Sequence, residues 1–315
     1  MFSVGEPAVR PAFIFLSLSL ICHVPAMGQE HEDDASHGHF DHLSDHHNGH
    51  DFELIRPYES HGRGEEESHG HAGHTSIEGY PFVHGIRTEI DFVERAMEFD
   101  LVRSNNADDG MVDELEFESE LVWAINDHMI FIVGGSLISL DPIIEPNTTG
   151  IGDMELGFQF LAFGGERDLL FVALNMTVPT GDVGRDLGVG HTTLEPTALW
   201  LHDFGKGTYF QSRFGWEIPV STTDVGSEFK YDMGLYHCFR CTEHWPMFRF
   251  LTPLIEANGI TTLNEPGHGR TVLDLTTGFR WVMRERDEVG LGWSYPVTGS
   301  QHFDHQLIFG YRIHF

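Results

Sequence analysis

The sequence predicts an all-β protein, an antiparallel transmembrane β-barrel of about 12 strands, and three features carry this prediction. The chain ends in a segment, Phe303–Phe315, in which apolar and polar side chains alternate up to a final aromatic residue. No stretch after the N-terminus approaches the roughly 20 apolar residues of a transmembrane helix. Short and long connections alternate between the predicted strands, which is typical of membrane barrels.

The N-terminus predicts a cleaved secretory signal peptide over residues 1–28. Arg10 precedes the apolar run Pro11–Cys22, and Ala26-Met27-Gly28 supplies small residues at the two positions that a signal peptidase inspects. The run is too short to span a bilayer as a helix. Gln29 is therefore the expected first residue of the mature chain.

Residues 29–79 form a tail rich in histidine and acidic residues, with no apolar periodicity. Such a segment buries too little apolar surface to offset its ordering entropy, so we expect it to be disordered. Neutral imidazoles bind Zn, Cu or Ni, and no cofactor is otherwise required. A solvated charged tail without a metal role is the alternative. The candidate ligands are His31, His37, His39, His42, His46, His47, His50, His69, His71 and His74.

A more specific metal site follows from the predicted cleavage point. If Gln29 begins the mature chain, His31 is its third residue. The free amine, two backbone amides and that imidazole then form a square-planar nitrogen site suited to Cu(II) or Ni(II). Cleavage elsewhere, or cyclisation of Gln29, would abolish this site.

Residues 80–315 form the predicted barrel. Tight turns such as Asn126-Asp127 alternate with longer loops such as Pro179–Gly190. Short periplasmic turns and longer outer loops would leave both chain ends in the periplasm. The predicted strands are Ile86–Arg103, Val112–Ile125, His128–Ser139, Gly152–Phe163, Leu169–Val178, Thr192–His202, Thr208–Pro219, Glu228–His237, Pro246–Ala257, Thr271–Arg284, Glu288–Val297 and Phe303–Phe315.

One predicted strand is unusually acidic. Glu114, Glu116, Glu118 and Glu120 share a face, with Glu98 and Asp100 expected on the neighbouring strand. A charge on the lipid face costs about 2 to 4 kcal/mol at the midplane, so these carboxylates should face the lumen. They either give a pore cation preference or form a hydrated wall paired with lumen arginines, for which the candidates are Arg213, Arg280 and Arg312.

Cys238 and Cys241 are the cysteines left in the predicted mature chain. Residues three apart face opposite sides of a strand, so these two can pair only where the chain turns. A structural disulfide is the first interpretation, because an exported compartment is oxidising. A metal site with His237 or His244, or a redox role, is the alternative.

The closing segment resembles the last strand of bacterial outer-membrane barrels. In those proteins the barrel-assembly machinery recognises an aromatic last residue with apolar residues two and four positions before it. Here these positions are Phe315, Ile313 and Tyr311. The resemblance implies the outer membrane of a Gram-negative-type bacterium, with outer-membrane lipid around the barrel and the N-terminal tail in the periplasm.

Composition and charge argue against some classes of function. A net charge of −31 argues against nucleic acid and anionic lipid surfaces as partners. No grouping of Ser, His and acid stands out, so we do not expect an enzyme. A channel or transporter for a small-molecule or cation cargo is the first interpretation. A metal-linked protein acting through its tail, and a closed structural barrel, are the alternatives.

Several motifs of the barrel resemble one known family. The run Gly150-Ile151-Gly152-Asp153-Met154-Glu155-Leu156-Gly157 and the element Pro179-Thr180-Gly181-Asp182 are the most specific of them, and Val93–Phe99 and Asp113–Glu118 precede them. They are similar to an outer-membrane family of transporters assigned to the meta-cleavage pathway of phenol degradation. The resemblance implies a transporter-like barrel with aromatic or other hydrophobic substrates.

Overall fold

The structure, a computed structural model, describes residues 75–76, 78–88, 90–107, 111–144, 146–222, 225–241, 248–264, 269–283, 287–299 and 302–315. All of them belong to one compact unit, Glu53–Phe315. The predicted signal peptide, and all but the last residues of the predicted tail, lie outside this part of the chain. Among the described residues, no helix is long and apolar enough to cross a membrane.

The described chain forms a single closed antiparallel sheet. Neighbouring strands pair in chain order, and the sheet closes through the β1–β13 and β10–β11 pairings. The strands are β1 Arg95–Asn106, β2 Val112–Asn126, β3 Met129–Pro142, β4 Thr148–Gly164, β5 Asp168–Val178, β6 Thr193–Gly205, β7 Thr208–Pro219, β8 Glu228–His237, β9 Phe239–Arg240, β10 Phe248–Thr262, β11 Thr271–Met283, β12 Glu288–Pro296 and β13 His305–His314.

Strands β8 and β9 are two parts of one barrel strand. Both pair with β10, and the register of Tyr236 with Leu254 continues into that of Phe239 with Leu251. The break falls opposite Pro253, which has no N–H to offer the ladder. Counted this way, the barrel has twelve strands, which confirms the predicted fold class.

The alternation of side chains is the reverse of that in a soluble sheet. Along β12, Leu291, Trp293 and Tyr295 are exposed, while Gly292 and Ser294 point into the lumen and are buried. The same inversion holds along β6 and β13. An apolar outer face around a polar interior is the arrangement that lipid requires of a barrel. Phe303, expected on the apolar face, is instead buried ahead of β13.

The prediction for the first strand is wrong at its start. The strand begins at Arg95, and Pro81–Glu94, which we call the lumen segment, runs inside the barrel. Its apolar residues do not alternate, so no register would place them all toward lipid. They pack instead against inward-facing residues of the wall. The buried apolar residues of the segment are Phe82, Val83, Ile86, Ile90, Phe92 and Val93.

Candidate functional site

The first half of the lumen segment is fixed through its backbone. The N–H of Val83 donates to Tyr209 Oη over 2.9 Å, and the Val83 carbonyl accepts from Gln211 Nε2 over 2.9 Å. The Tyr209 ring stacks on Tyr236, with 4.9 Å between centroids. Side chains of the wall therefore satisfy polar groups that a strand would satisfy through its ladder.

A buried carboxylate holds the turn in the middle of the segment. The N–H groups of Ile86 and Arg87 each donate to Glu256 over 2.8 Å, and Tyr236 Oη donates to it over 2.7 Å. Hydrogen bonds to a charged group contribute about 1.5 to 3 kcal/mol each. The turn also requires Gly85, because a Cβ there would lie 2.2 Å from a carbonyl oxygen of the same turn. Glu256 thus anchors the segment to β10.

Two enclosed arginines connect the segment to β11 and β13. Arg280 and Arg312 are 1% and 0% exposed. Arg312 Nη2 donates over 2.7 Å to both Asp91 and Glu94. Arg280 Nη2 donates to the Gly85 carbonyl of the segment and, over 3.1 Å, to Glu98 of β1. Arg312 Nη1 also donates to Glu98. Buried charges persist only when they are paired in this way, so the second half of the segment is bound by charge as well as by packing.

The opposite side of the lumen is less filled. A cavity of about 130 Å³ lies against β1–β4, and a second, of about 80 Å³, lies between Asp91 and Arg213. The larger one is lined by five of the predicted acidic residues, namely Glu98, Asp100, Glu116, Glu118 and Glu120. Glu114 is half-buried nearer the long-loop end of β2 and outside this lining. The larger of these two cavities is therefore acidic.

The contacts of the acidic residues differ between β1 and β2. On β1, Glu98 pairs with Arg280 and Arg312. On β2, Glu116 and Glu118 line the larger cavity, beside the small residues Gly134 and Ser136 of β3. The nearest contact of Arg213 is with Glu195 of β6. Cation preference and a hydrated wall both stay predictions for the acidic strand.

The two most specific motifs meet at the long-loop end. Asp153, from the glycine-rich motif of β4, accepts from the N–H of Gly181 over 2.8 Å and from the N–H of Val189 over 2.7 Å. Thr180 Oγ1 donates to the Gly152 carbonyl over 3.0 Å. A Cβ on Gly181 would lie 2.2 Å from a backbone oxygen of the loop. The motifs therefore clamp the β5–β6 loop onto the end of β4.

Cys238 and Cys241 are not joined to each other by a disulfide in the structure. The turn on which the predicted disulfide depends is absent here, because β9 continues the strand between them and the ladder extends to the Cys241 N–H, which donates to the Arg249 carbonyl. Residues three apart on a strand face opposite ways, about 10 Å apart, whereas a bridge requires Cα atoms within about 7 Å.

The remaining site residues divide between the two ends of the chain. Tyr311 and Ile313 lie on the outer face of β13, and the exposed Phe315 ring lies 6.2 Å from that of Trp123. Their recognition by the assembly machinery stays a prediction. The tail histidines from His31 to His74 lie outside the described residues, so metal binding by the tail also stays a prediction.

Sequence reasoning missed the lumen segment, although a signal was present. Apolar residues at positions 82, 83, 86, 90, 92 and 93 follow neither a strand nor a helix period. Pro81 and Gly85 also interrupt any ladder. An apolar segment without a period, directly before the first strand of a barrel whose interior is polar, favours a position inside the lumen.

A known family and known structures are similar to this chain. The family model described as MetA-pathway of phenol degradation matches residues 114–248, which confirms the resemblance over less than half of the chain. An outer membrane channel from Pseudomonas putida F1 is similar in structure, with a TM-score of 0.53 and 13% identity, over 74% of this chain and all of that one. This similarity shows the fold. A comparison with curated protein sequences gives no match.

Two porin structures are more distant. The NanC porin has a TM-score of 0.47 and 8% identity over 70% of this chain and 98% of that one. The KdgM porin has a TM-score of 0.46 and 5% identity over 70% of this chain and 99% of that one.

Proposed function

We propose that the chain is an outer-membrane channel for small solutes, in which the position of the lumen segment sets the width of the pathway. One observation carries the proposal. The barrel is closed and has a polar interior, and an acidic cavity remains along β1–β4 beside the packed lumen segment. A structural barrel without transport has no need of such a cavity. No catalytic step is part of this function.

The substrate class follows from the resemblance and is constrained by the space available. The family match points to aromatic or other hydrophobic compounds of phenol degradation. Cavities of about 80 and 130 Å³ hold a few waters or small ions when the segment is seated. Passage of an aromatic solute therefore requires the segment to shift, whereas small cations can pass beside it.

The orientation follows from the loops. The ends of β1 and β13 that carry Arg95 and Phe315 lie at the end of the barrel with the short turns. We place that end, and with it the tail, in the periplasm. The exposed apolar face then contacts outer-membrane lipid, and Tyr311, Ile313 and Phe315 are the residues offered to the assembly machinery.

Planar-bilayer conductance of the refolded full chain tests the channel. The wild type should show small, stable conductance steps. Glu256→Gln removes the charge that holds Ile86 and Arg87, so its conductance or its frequency of large openings should rise several-fold. Glu217→Gln is the matched control, because Glu217 pairs with Lys230 and does not touch the segment. Absence of conductance in every form would refute the channel and favour a closed structural barrel.

A further inference from the structure

Three ligand-type side chains converge at the short-turn end of the lumen. His84 belongs to the lumen segment, Glu94 ends that segment, and His314 ends β13. One ligand atom from each lies within 4.8 Å of the others. The nearest approaches are 3.2 Å between His84 Nε2 and Glu94 Oε1, and 3.0 Å between His314 Nε2 and Glu94 Oε2.

The imidazole of His84 is oriented by a second carboxylate. Its Nδ1 lies 3.1 Å from Glu288 Oε1, and its backbone N–H donates to Glu288 Oε2 over 3.3 Å. The Phe92 ring packs edge-on against the imidazole at 5.1 Å. Nε2 is thereby directed toward Glu94 and His314. A carboxylate behind an imidazole is the arrangement that fixes metal-ligating histidines.

The charge around the three residues favours a divalent cation. Arg312 donates to Glu94 over 2.7 Å, so a positive group already borders the cluster. Arg280 is the second positive group, and the carboxylates enclosed with them are those of Asp91, Glu94, Glu98 and Glu288. Four carboxylates against two guanidiniums leave two negative charges, and burying them is costly unless they are neutralised. A bound divalent cation, or protons on His84 and His314, would neutralise them, and the thermal test below separates these two cases.

We propose that His84, Glu94 and His314 form a binding site for a divalent transition metal of the Zn²⁺ class, which fastens the lumen segment to β13. Two imidazoles and one carboxylate suit Zn²⁺ and leave a fourth position for water. Ligand bonds of about 2.0 to 2.1 Å place tetrahedral ligands about 3.3 Å apart, close to the two approaches measured here. The side chain of His314 is 12% exposed, which gives the ion a route from the short-turn end.

The metal site does not depend on the proposed function. Its effect on conductance does, because that effect requires the chain to be a channel. A bound ion would hold His84, near the start of the lumen segment, and Glu94, at its end, against β13. Within a channel, the metal would therefore favour the narrow state. The binding test below needs no conductance, so failure of the site and failure of the channel are distinguishable.

Thermal unfolding of the full chain in detergent tests the site. The protein is stripped with a chelator and heated with and without Zn²⁺, and the midpoint Tm is measured. The predicted tail, without structure of its own, would bind Zn²⁺ alike in folded and unfolded chains and leave Tm unchanged, whereas the lumen site exists only in the folded barrel. Zn²⁺ should therefore raise Tm by several degrees in the wild type.

Variants connect the shift to the named residues. His84→Gln and His314→Gln should each lower the Zn²⁺ affinity obtained from the Tm shift at least tenfold. Glu288→Gln should lower it roughly 10- to 100-fold, as loss of an orienting carboxylate does elsewhere. His302→Gln, an exposed histidine outside the cluster, is the matched control and should behave as wild type.

Two results would overturn the proposal. One is a wild-type Tm indifferent to Zn²⁺, which would make the cluster a set of salt bridges to protonated imidazoles. The other is an unchanged Zn²⁺ effect on Tm in both histidine variants, which would assign the stabilising ion to a different site of the folded barrel. If a variant does not fold, the visible spectrum of the Co²⁺-loaded wild type tests the site instead. Intense bands of four- or five-coordinate Co²⁺ support the site, and weak octahedral bands alone contradict it.

Discussion

The two sides of the lumen show how one barrel interior can be built in two ways. The wall of β10–β13, which we call the covered wall, contacts the lumen segment through hydrogen bonds, ion pairs and packed glycines. The wall of β1–β4, the open wall, carries carboxylates around a cavity. Polar residues on the covered wall satisfy a specific backbone, whereas carboxylates on the open wall line the cavity. The same inward alternation thus produces a binding surface on one side and an acidic cavity on the other.

Glycines mark this difference as clearly as charges do. On the covered wall, a Cβ added to Gly292 would lie 2.6 Å from the Ile86 side chain, so the glycine makes room for the segment. On the open wall, a Cβ added to Gly134 would meet its nearest neighbour, the Ser119 carbonyl oxygen, only at 3.5 Å. The first glycine is required by packing, and the second has room for a methyl group.

The largest difference in lost stability between the two sides should come from replacing a buried arginine. Arg312→Met would leave Asp91, Glu94 and Glu98 without their main cation in the lumen, and loss of one partner from a buried ion pair costs about 3 to 5 kcal/mol. The measurement is the free energy of unfolding in lipid vesicles, followed by tryptophan fluorescence in guanidinium.

Arg213→Met is the matched change beside the smaller cavity. Arg213 is 24% exposed, and its partner Glu195 keeps Lys230 as a second cation, so loss of Arg213 should cost less than loss of Arg312, about 1.5 to 3 kcal/mol. Equal losses for the two variants would contradict the division of the lumen into a filled and a hydrated side.

A smaller difference should follow from the glycines. Gly292→Ala forces the Ile86 side chain to move, and overpacking of this kind costs about 1 to 3 kcal/mol. Gly134→Ala should change the free energy of unfolding by no more than about 0.5 kcal/mol. Both values come from the same guanidinium titration. A Gly134→Ala variant as unstable as Gly292→Ala would show that the open wall is packed after all.

The barrel could be predicted from the sequence because lipid imposes a strict rule on it. Strands β7 and β8 begin and end at the predicted residues, since alternation and turn residues are local signals. The closing strand was found for the same reason. The predicted first strand started at Ile86, nine residues before the observed start at Arg95. The reason is that the apolar residues before Arg95 were assigned to the lipid face, although they pack inside the lumen. Local patterns do not distinguish these two apolar environments.

The site was less predictable because its contacts join distant parts of the chain. Glu98 and Asp100 were placed in the lumen correctly by face, yet alternation does not reveal that Arg312 and Arg280 neutralise Glu98 across 214 and 182 residues. The cysteines show the converse error. The predicted disulfide required a turn at the cysteines, but the register set by β10 carries the strand past both of them.

The smallest effect tests whether the open wall selects ions. Glu116→Gln removes one carboxylate from the larger cavity without touching the lumen segment. A unit charge acts on an ion about 10 Å away through water with roughly 0.4 kcal/mol, which corresponds to an approximately twofold fall in the cation-to-anion permeability ratio. The reversal potential under a salt gradient measures this ratio. Glu166→Gln, which removes an exposed carboxylate in the short turn between β4 and β5, outside the cavity lining, should leave the ratio nearly unchanged. If both variants keep the wild-type ratio, the acidic strand is a hydrated wall that ions do not sense, and cation preference must be abandoned while the barrel and its covered wall stand.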